Sequence, residues 1–183
     1  DHRMIEELDE LDEVIISERK NTIQKSYFKT QNIVNVSSEE LLKAACCNVS
    51  ESFETNPSID VSYSNAITGV KQVRMLGLES PYLLITEENI PMVRGASQVY
   101  GLSFIPGPWV ESMQITKGTG SVVNGFESIS GQINIELKKP VNDAPIFVNL
   151  FRSGKGRNEF NFHLNKKISP KINTIFLVHV DNN

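Results

Sequence analysis

The sequence predicts an α+β domain built around a small mixed sheet, followed by the first antiparallel strands of a transmembrane β-barrel. Two observations predict the α+β domain. Short stretches of alternating apolar and polar residues are typical of strands. Gly118, Gly125 and Gly131 punctuate a connection between two such stretches, as expected where a backbone turns tightly or is closely approached. The barrel strands are predicted because, from residue 146 onward, longer alternating stretches follow one another directly.

Composition divides the chain into an acidic tail over residues 1–20, a central domain over residues 21–140 and a strand-rich part over residues 141–183. The tail holds eight acidic residues against three basic ones, which is typical of a solvated segment. Its last part, from Asp12 to Ser17, contains a short β-branched stretch. Such a stretch suits pairing as an added strand with the exposed sheet edge of a partner.

The central domain is predicted to hold one or two short helices and several short strands. One helix covers residues 37–47, because Ser37 and Glu40 match a capping box and apolar residues recur on one face after them. The predicted strands are Ile59–Tyr63, Gln72–Leu76, Tyr82–Thr86, Val110–Ile115 and Ile133–Leu137.

The strand-rich part alternates cleanly in two runs. Phe160, Phe162 and Leu164 alternate with polar residues in the first run, and Thr174, Phe176, Val178 and Val180 mark one face of the second. Strands of about ten residues with this alternation are typical of a transmembrane β-barrel. The three strands predicted over residues 141–183 cannot close a barrel. Lipid does not tolerate an open sheet edge, so we expect a piece of a larger barrel protein. An ordinary soluble hairpin extension is the alternative.

Composition and motifs argue against several classes of function. The formal net charge of −4 gives no reason to expect a nucleic-acid partner. No run approaches the length of a transmembrane helix, and the start does not match a signal peptide. No Ser-His-Asp grouping or metal-ligand spacing is present, so we expect neither an enzyme nor a bound metal or cofactor.

The two cysteines, Cys46 and Cys47, are adjacent. Adjacent cysteines rarely bridge to each other, and no second cluster supplies further metal ligands. We interpret them as two small buried residues of the predicted helix, because cysteine is among the most frequently buried residue types. A metal site that includes them is the alternative.

The glycine-punctuated run, KGTGSVVNGFESISGQINI from Lys117 to Ile135, resembles a known family motif. It is similar to the end of the plug domain of a TonB-dependent outer-membrane receptor. That domain carries a basic residue and Gly, then Ser, then Tyr-Gly, then Gly-Gly-x-Ile-Asn-Ile, and the register matches without gaps. Thr119 stands where Pro is usual, Asn124 replaces the Tyr and Ser130 replaces the first of the paired glycines.

A nucleotide-binding loop is the alternative for the same run. It is disfavoured because no Gly-Lys-Ser/Thr is present and Val123 stands where a Rossmann fingerprint needs its third Gly. Two further family motifs are altered: Ile-Arg-Gly appears as Met75-Leu76-Gly77, and Ile-Asp-Gly-Val-Pro appears within Ile85–Pro91. The chain therefore resembles a divergent, Bacteroidetes-like branch, and no ligand class is carried over from the family.

The resemblance implies how the three parts work together. Residues 21–140 would be the plug, residues 141–183 would begin the barrel, and the TonB box would consist of Asp12, Glu13, Val14, Ile15, Ile16 and Ser17. The plug would gate energised uptake of a ligand through the barrel of a Gram-negative outer membrane, with the plug in the lumen and the tail in the periplasm. The expected partners are TonB, outer-membrane lipid, an accessory surface lipoprotein and a small ligand such as a metal chelate, vitamin, glycan or peptide.

The resemblance also implies where the ligand would bind. In the family's order, the loops at the external apex of the plug correspond here to residues 64–71 and 93–104. Their candidate ligand contacts are Asn65, Arg94, Gln98, Tyr100 and Phe104, a mix of amide, cationic and aromatic groups. We expect residues 93–104 and the TonB box at opposite ends of the plug. In the alternative interpretation, Tyr100 and Phe104 only anchor their loop.

A soluble periplasmic interaction or signalling module is the alternative function. Transducing receptors of this family carry a folded signalling domain before the TonB box. The 11 residues that precede Asp12 are too few for such a domain.

Overall fold

The computed structural model describes residues 23–25, 32–43, 48–53, 59–63, 71–120, 122–141, 144–154 and 156–182. The predicted TonB box, Asn65 and the cysteine pair lie outside the described residues.

Eleven strands and two short α-helices make up the described secondary structure, with three 3₁₀ helices between them. The elements up to the first long connection are β1 Ile23–Lys25, β2 Asn32–Ser37, α1 Ser38–Lys43, α2 Val49–Ser52, β3 Asp60–Tyr63 and β4 Lys71–Arg74. The next are a 3₁₀ helix Ser80–Tyr82, β5 Leu83–Glu87, β6 Ile90–Pro91, and 3₁₀ helices Gly95–Phe104 and Gly107–Trp109. The last are β7 Val110–Lys117, β8 Gly131–Leu137, β9 Ile146–Arg152, β10 Asn158–Ser169 and β11 Ile172–Asn182.

The central domain contains a six-stranded mixed sheet in the order β1-β2-β7-β8-β5-β6. The β5–β8 pair is parallel and its other strand pairs are antiparallel. A separate antiparallel pair, β3–β4, lies outside this sheet. The predicted α+β domain with a small mixed sheet is therefore confirmed.

The sheet has two ends that organise the rest of the domain. At one end, which we call the glycine end, Lys117 closes β7 opposite Gly131 at the start of β8, and Leu83 begins β5 beside Gly131. At the opposite end, the tail end, β8 finishes at Leu137 and the N-terminal strand begins, with Ile23 paired to Val36.

The predicted helix begins one residue later than expected. Ser37 is the last residue of β2, where it pairs with Ser112 of β7, and α1 starts directly after it. The Ser37 hydroxyl is buried without a hydrogen-bond partner among the described residues. Helix α1 is described as far as Lys43, and the remainder of the predicted helix lies outside the described residues.

One face of the sheet forms the hydrophobic core. Register alignment places Val36, Met113 and Ile135 in one row across three strands. The row is buried, as are Phe53 of the segment after α2 and Leu102 of the long 3₁₀ helix, which belong to the same core cluster. The burial of these apolar side chains in one core therefore holds the helices against the sheet.

The other face of the sheet is polar and also buried. Gln132 and Asn134 of β8 alternate with the core residues, and Thr86 of β5 lies beside Asn134. The Thr86 hydroxyl donates to the Asn134 side-chain oxygen at 2.8 Å, and the Asn89 backbone N–H donates to the same oxygen at 2.8 Å. These bonds satisfy polar groups that would otherwise lose their hydration on burial.

The strand-rich part forms a three-stranded antiparallel sheet in the order β11-β10-β9. One face is apolar across all three strands. Its rows are Leu150–Phe160–Val180, Val148–Phe162–Val178 and Ile146–Leu164–Phe176. Leu150 and Phe176 are largely exposed, whereas Asn161 and His163 on the opposite face are buried. The predicted alternation along β10 thus places its apolar residues on one face and its buried polar residues on the other.

The β10–β11 turn is tighter than the sequence predicts. The prediction placed a turn over residues 166–171, but β10 continues to Ser169 and only Pro170 and Lys171 connect it to β11. Longer pairing satisfies more backbone groups than an open loop would. Within the described parts of the chain, no helix has the length and apolarity to cross a membrane.

A polar clasp ties the β5–β6 turn to the end of β8. Glu88 and Asn89 adopt left-handed backbone conformations, with φ of 51° and 63°. The Glu88 carboxylate accepts hydrogen bonds from the Leu137 backbone N–H and from the Lys139 ammonium. Burial raises the pKa of the Glu88 carboxyl, but these bonds and the Lys139 charge outweigh it, so the pKa lies below its ordinary value of 4.5.

Replacement of Gly131 by Ala should destabilise the fold by roughly 1–3 kcal/mol, because the added Cβ overpacks the site. The Cβ would lie 2.0 Å from the Met75 sulfur and 2.6 Å from the Thr116 carbonyl oxygen. Denaturant unfolding followed by fluorescence of Trp109, the single tryptophan, measures the effect. Gly154→Ala is the control, since nothing lies within 4 Å of its Cβ position. Equal midpoints for the two variants would contradict the packing argument.

Replacement of Glu88 by Gln should make the free energy of unfolding less sensitive to acid pH. A carboxyl with a lowered folded pKa stabilises the fold above its unfolded pKa and loses that contribution as pH falls. The protein should therefore lose more stability than Glu88→Gln on acidification through pH 4.5 and below. Lys139→Gln should give an intermediate slope, because it removes only one of the two hydrogen bonds. Parallel slopes in pH-resolved unfolding curves would show that the clasp is not linked to stability.

Candidate functional site

The candidate ligand site lies along the long 3₁₀ helix that follows β6. Arg94 is extended, and Gly95 then turns the chain into the helix with a φ of +67°. A 3₁₀ run of ten residues is uncommon, and this one curves back on the segment before it, since a Cβ at Gly101 would lie 2.9 Å from the Val93 side chain. The sequence prediction treated these residues as a loop.

The predicted ligand residues take different positions along this helix. Tyr100 and Phe104 are exposed, with 42% and 64% of their surface accessible. Gln98 is 4% exposed, and its side-chain amide donates to the Leu83 carbonyl oxygen at the start of β5. The Gln98 amide therefore anchors the helix to the sheet. Of the four described residues that were predicted to contact the ligand, Gln98 is the least exposed.

Arg94 forms an ion pair across the glycine end. Its Nε lies 3.1 Å from Glu127 Oε1, in the loop that joins β7 to β8. The Arg94 side chain is 52% exposed, whereas the Glu127 side chain is 14% exposed. The second Glu127 oxygen is buried without a hydrogen-bond partner among the described residues.

The base of the β7–β8 loop is tightly hydrogen-bonded. The Gly118 N–H donates to the Ser130 carbonyl at 2.9 Å. The Ser128 hydroxyl accepts from the Gly120 N–H at 2.9 Å and donates to the Gly131 carbonyl at 3.0 Å. The left-handed φ of +88° at Gly118 and +141° at Gly125 suits glycine, so both positions serve the loop's conformation.

The tip of the same loop is apolar and exposed. Val122, Val123 and Phe126 have 88%, 93% and 84% of their surface accessible. We call these three residues the apolar tip. Sequence analysis assigned this loop to the fold alone and missed the tip. The signal was present, because a turn between strands usually carries polar residues rather than three large apolar ones in five positions.

The glycine end therefore brings together Arg94, Glu127 and the apolar tip. Ile23, the described residue nearest to the predicted TonB box, lies at the tail end. The predicted TonB box lies outside the described residues, so its position relative to residues 93–104 stays a prediction. In the described part of the chain, no three His, Cys, Asp or Glu residues converge into a group that could hold a metal ion.

Solved structures resemble this fold. Over 84% of the chain, it superposes on the ferric-catecholate import receptor Fiu of E. coli K12 with a TM-score of 0.67 and 16% identity. Over the same share, the values are 0.69 and 13% for the alcaligin receptor FauA of Bordetella pertussis. They are 0.64 and 16% for the ferric yersiniabactin receptor FyuA of Yersinia pestis. The chain spans 21%, 27% and 25% of these three structures, respectively.

A family model gives the more specific result. Residues 26–132 match the TonB-dependent receptor plug domain. The match begins after β1 and ends within β8, so it contains β2, β5, β6 and β7 of the mixed sheet, the long 3₁₀ helix and the glycine-punctuated loop. Because the matched residues make up more than half of the chain, the protein belongs to the TonB-dependent receptor plug-domain family.

Proposed function

We propose that the chain is the tail, plug and first barrel strands of an outer-membrane receptor that takes up a ligand with energy supplied through TonB. The proposed boundaries are residues 1–20 for the tail, 21–140 for the plug and 141–183 for the start of the barrel. One observation carries the proposal: a family plug is followed by a sheet whose apolar face is exposed, while polar residues of its central strand are buried on the opposite face.

The sheet of β9, β10 and β11 supports a membrane location. A one-sided sheet in water buries its apolar face, whereas this sheet exposes its apolar face and buries Glu159, Asn161 and His163 of β10 on the other. Among the described residues, its two outer strands, of 7 and 11 residues, each have an unpaired edge. In a closed barrel, further strands would pair with the backbone groups of both edges, and lipid would surround the apolar face.

The two ends of the plug support a division of roles. The first described strand, β1, begins at the tail end, where Ile23 pairs with Val36 of β2. The exposed Arg94 side chain and the apolar tip lie at the glycine end, roughly the length of a strand from the tail end. Under the proposal, ligand binds at the glycine end while TonB pairs with residues 12–17, and tension then rearranges the plug to open a path.

The ligand is proposed to be a small metal chelate. Fiu, FyuA and FauA are described as receptors for a ferric catecholate, ferric yersiniabactin and alcaligin, respectively. Vitamins, glycans and peptides are the alternative ligands, and an accessory surface lipoprotein is a further proposed partner. If the chain were instead a soluble periplasmic module, the apolar sheet face would have no lipid to cover it.

Replacement of Leu150 by Lys should block assembly in the outer membrane. A Lys on the lipid face of a barrel costs about 2–4 kcal/mol at the membrane midplane. Asn149→Lys is the matched control, because the neighbouring side chain belongs to the opposite face of the same strand. Both variants of the full-length receptor would be measured by outer-membrane fractionation and resistance to urea extraction. Equal membrane incorporation of the two would contradict the lipid-facing assignment.

Replacement of Ile15 by Pro should weaken binding of the TonB periplasmic domain by roughly tenfold or more. Proline removes a backbone donor and obstructs strand addition. Ile5→Pro, in the same tail but outside residues 12–17, is the control for a general effect of proline. Binding would be measured with the full-length receptor in detergent. If Ile15→Pro binds TonB as well as Ile5→Pro does, residues 12–17 are not the TonB box.

A further inference from the structure

We propose that the β10–β11 turn binds the headgroups of anionic phospholipids at the periplasmic boundary of the outer membrane. Three lysines make the contact, and we call them the basic turn: Lys166, Lys167 and Lys171. The ligand class is a phospholipid with a net negative charge, such as phosphatidylglycerol, rather than a zwitterionic one. This proposal goes beyond the proposed function and rests on the membrane location that it gives to the sheet of β9, β10 and β11.

The first support is the concentration of positive charge in an acidic chain. Residues 165–175 contain the three lysines and no acidic residue, whereas the whole chain has a formal net charge of −4. All three lysines are exposed, and the ion pairs of the described residues are formed by other lysines and arginines. A local positive charge without acidic neighbours attracts an anionic surface.

The second support is the position of the turn at the tail end. Lys138 directly follows β8, and its ammonium lies 4.8 Å from the ring centre of Phe147 in β9. Phe147 pairs with His163 of β10, and the two rings stack with their centres 4.8 Å apart. From His163, β10 continues past the start of β9 to Ser169. The turn therefore lies on the side where the chain leaves the tail end of the plug, which is the periplasmic side under the proposed function.

The third support is the place of Lys166 at the margin of the apolar face. Lys166 is two residues past Leu164 on the same strand, and it pairs with Thr174 in the row after Leu164. At the turn itself, Ile168 and Ile172 are 64% and 55% exposed. Apolar side chains thus flank the lysine along the chain. A lysine at such a margin lays its aliphatic stem along apolar surface and brings its ammonium to the level of the headgroups.

The exposure of this turn does not depend on the rest of a barrel. Further strands would add beside β9 and β11 in the plane of the sheet and would leave its apolar face towards lipid. The turn is also held locally, because the Ser169 hydroxyl accepts from the Lys171 backbone N–H at 3.3 Å and Pro170 fixes its own φ. The three cations therefore stay close together at one end of the sheet.

The test measures the lipid that the full-length receptor retains in detergent when phosphatidylglycerol and phosphatidylcholine are added at equal concentration. Native mass spectrometry counts the bound lipids. The unmodified receptor should retain more phosphatidylglycerol than phosphatidylcholine. Lys166→Gln and Lys171→Gln should each lower the retention of phosphatidylglycerol by about fivefold, because each lysine near an anionic surface contributes roughly this factor. Retention of phosphatidylcholine should change by less than about twofold, and high salt should remove the preference.

Two control variants separate the charge of the basic turn from its structure. Lys171→Arg keeps the charge and should retain phosphatidylglycerol as the unmodified receptor does. Arg152→Gln removes an exposed cation from the opposite end of the sheet, where β9 finishes, and should leave the lipid preference unchanged. Equal losses of phosphatidylglycerol in Arg152→Gln and Lys171→Gln would show that the site is not at the turn. A loss in Lys171→Arg as large as that in Lys171→Gln would show that the lysine acts through the shape of the turn.

The inference and the proposed function fail in different ways. Outer-membrane fractionation of the same receptor and variants reports on the membrane location. If the receptor assembles in the outer membrane but retains the two lipids equally, only the anionic-lipid site is overturned, and the basic turn faces solvent or an acidic protein instead. Recovery of the receptor in the soluble periplasmic fraction would overturn the membrane location on which both proposals rest.

Discussion

The close approach of the Met75 side chain to the backbone of Gly131 is the constraint on which the plug fold depends. Gly131 begins β8, the strand that joins the antiparallel pair with β7 to the parallel pair with β5. Any side chain there would meet both Met75 and the Thr116 carbonyl. The register of the mixed sheet at the glycine end, and the loop that leads into it, therefore require a residue without a Cβ.

This constraint also shapes the surface at the glycine end. The loop before Gly131 closes on itself through the hydrogen bonds of Gly118, Ser128 and Ser130, so its base is ordered and its tip projects. Glu127 stands between base and tip and reaches across to Arg94. A short glycine-rich connection thus fixes both the strand register and the only ion pair described between this loop and the segment after β6.

Much of the fold follows from the sequence because side-chain alternation is a local signal. The strands predicted at Val110, Ile133 and along β10 all appear within a few residues of their expected bounds. Boundaries were less predictable, as at Ser37, which ends β2 instead of beginning the helix. The candidate site was harder still. The burial of Gln98 and the Arg94–Glu127 pair depend on residues about 15 and 33 positions apart meeting across the sheet, and no local pattern encodes such a meeting.

The shortness of β1 has a consequence for a receptor that would work through many transport cycles. The strand makes three residue pairs, all with β2 at the edge of the sheet, and its Ile23 is exposed rather than part of the core. Detaching β1 would break a few backbone hydrogen bonds but would not expose the hydrophobic core to water. Pairing can therefore be lost and regained without collapse of the domain. In a receptor that works through many cycles, such an edge would make the first step reversible and would leave the rest of the sheet as a template for recovery.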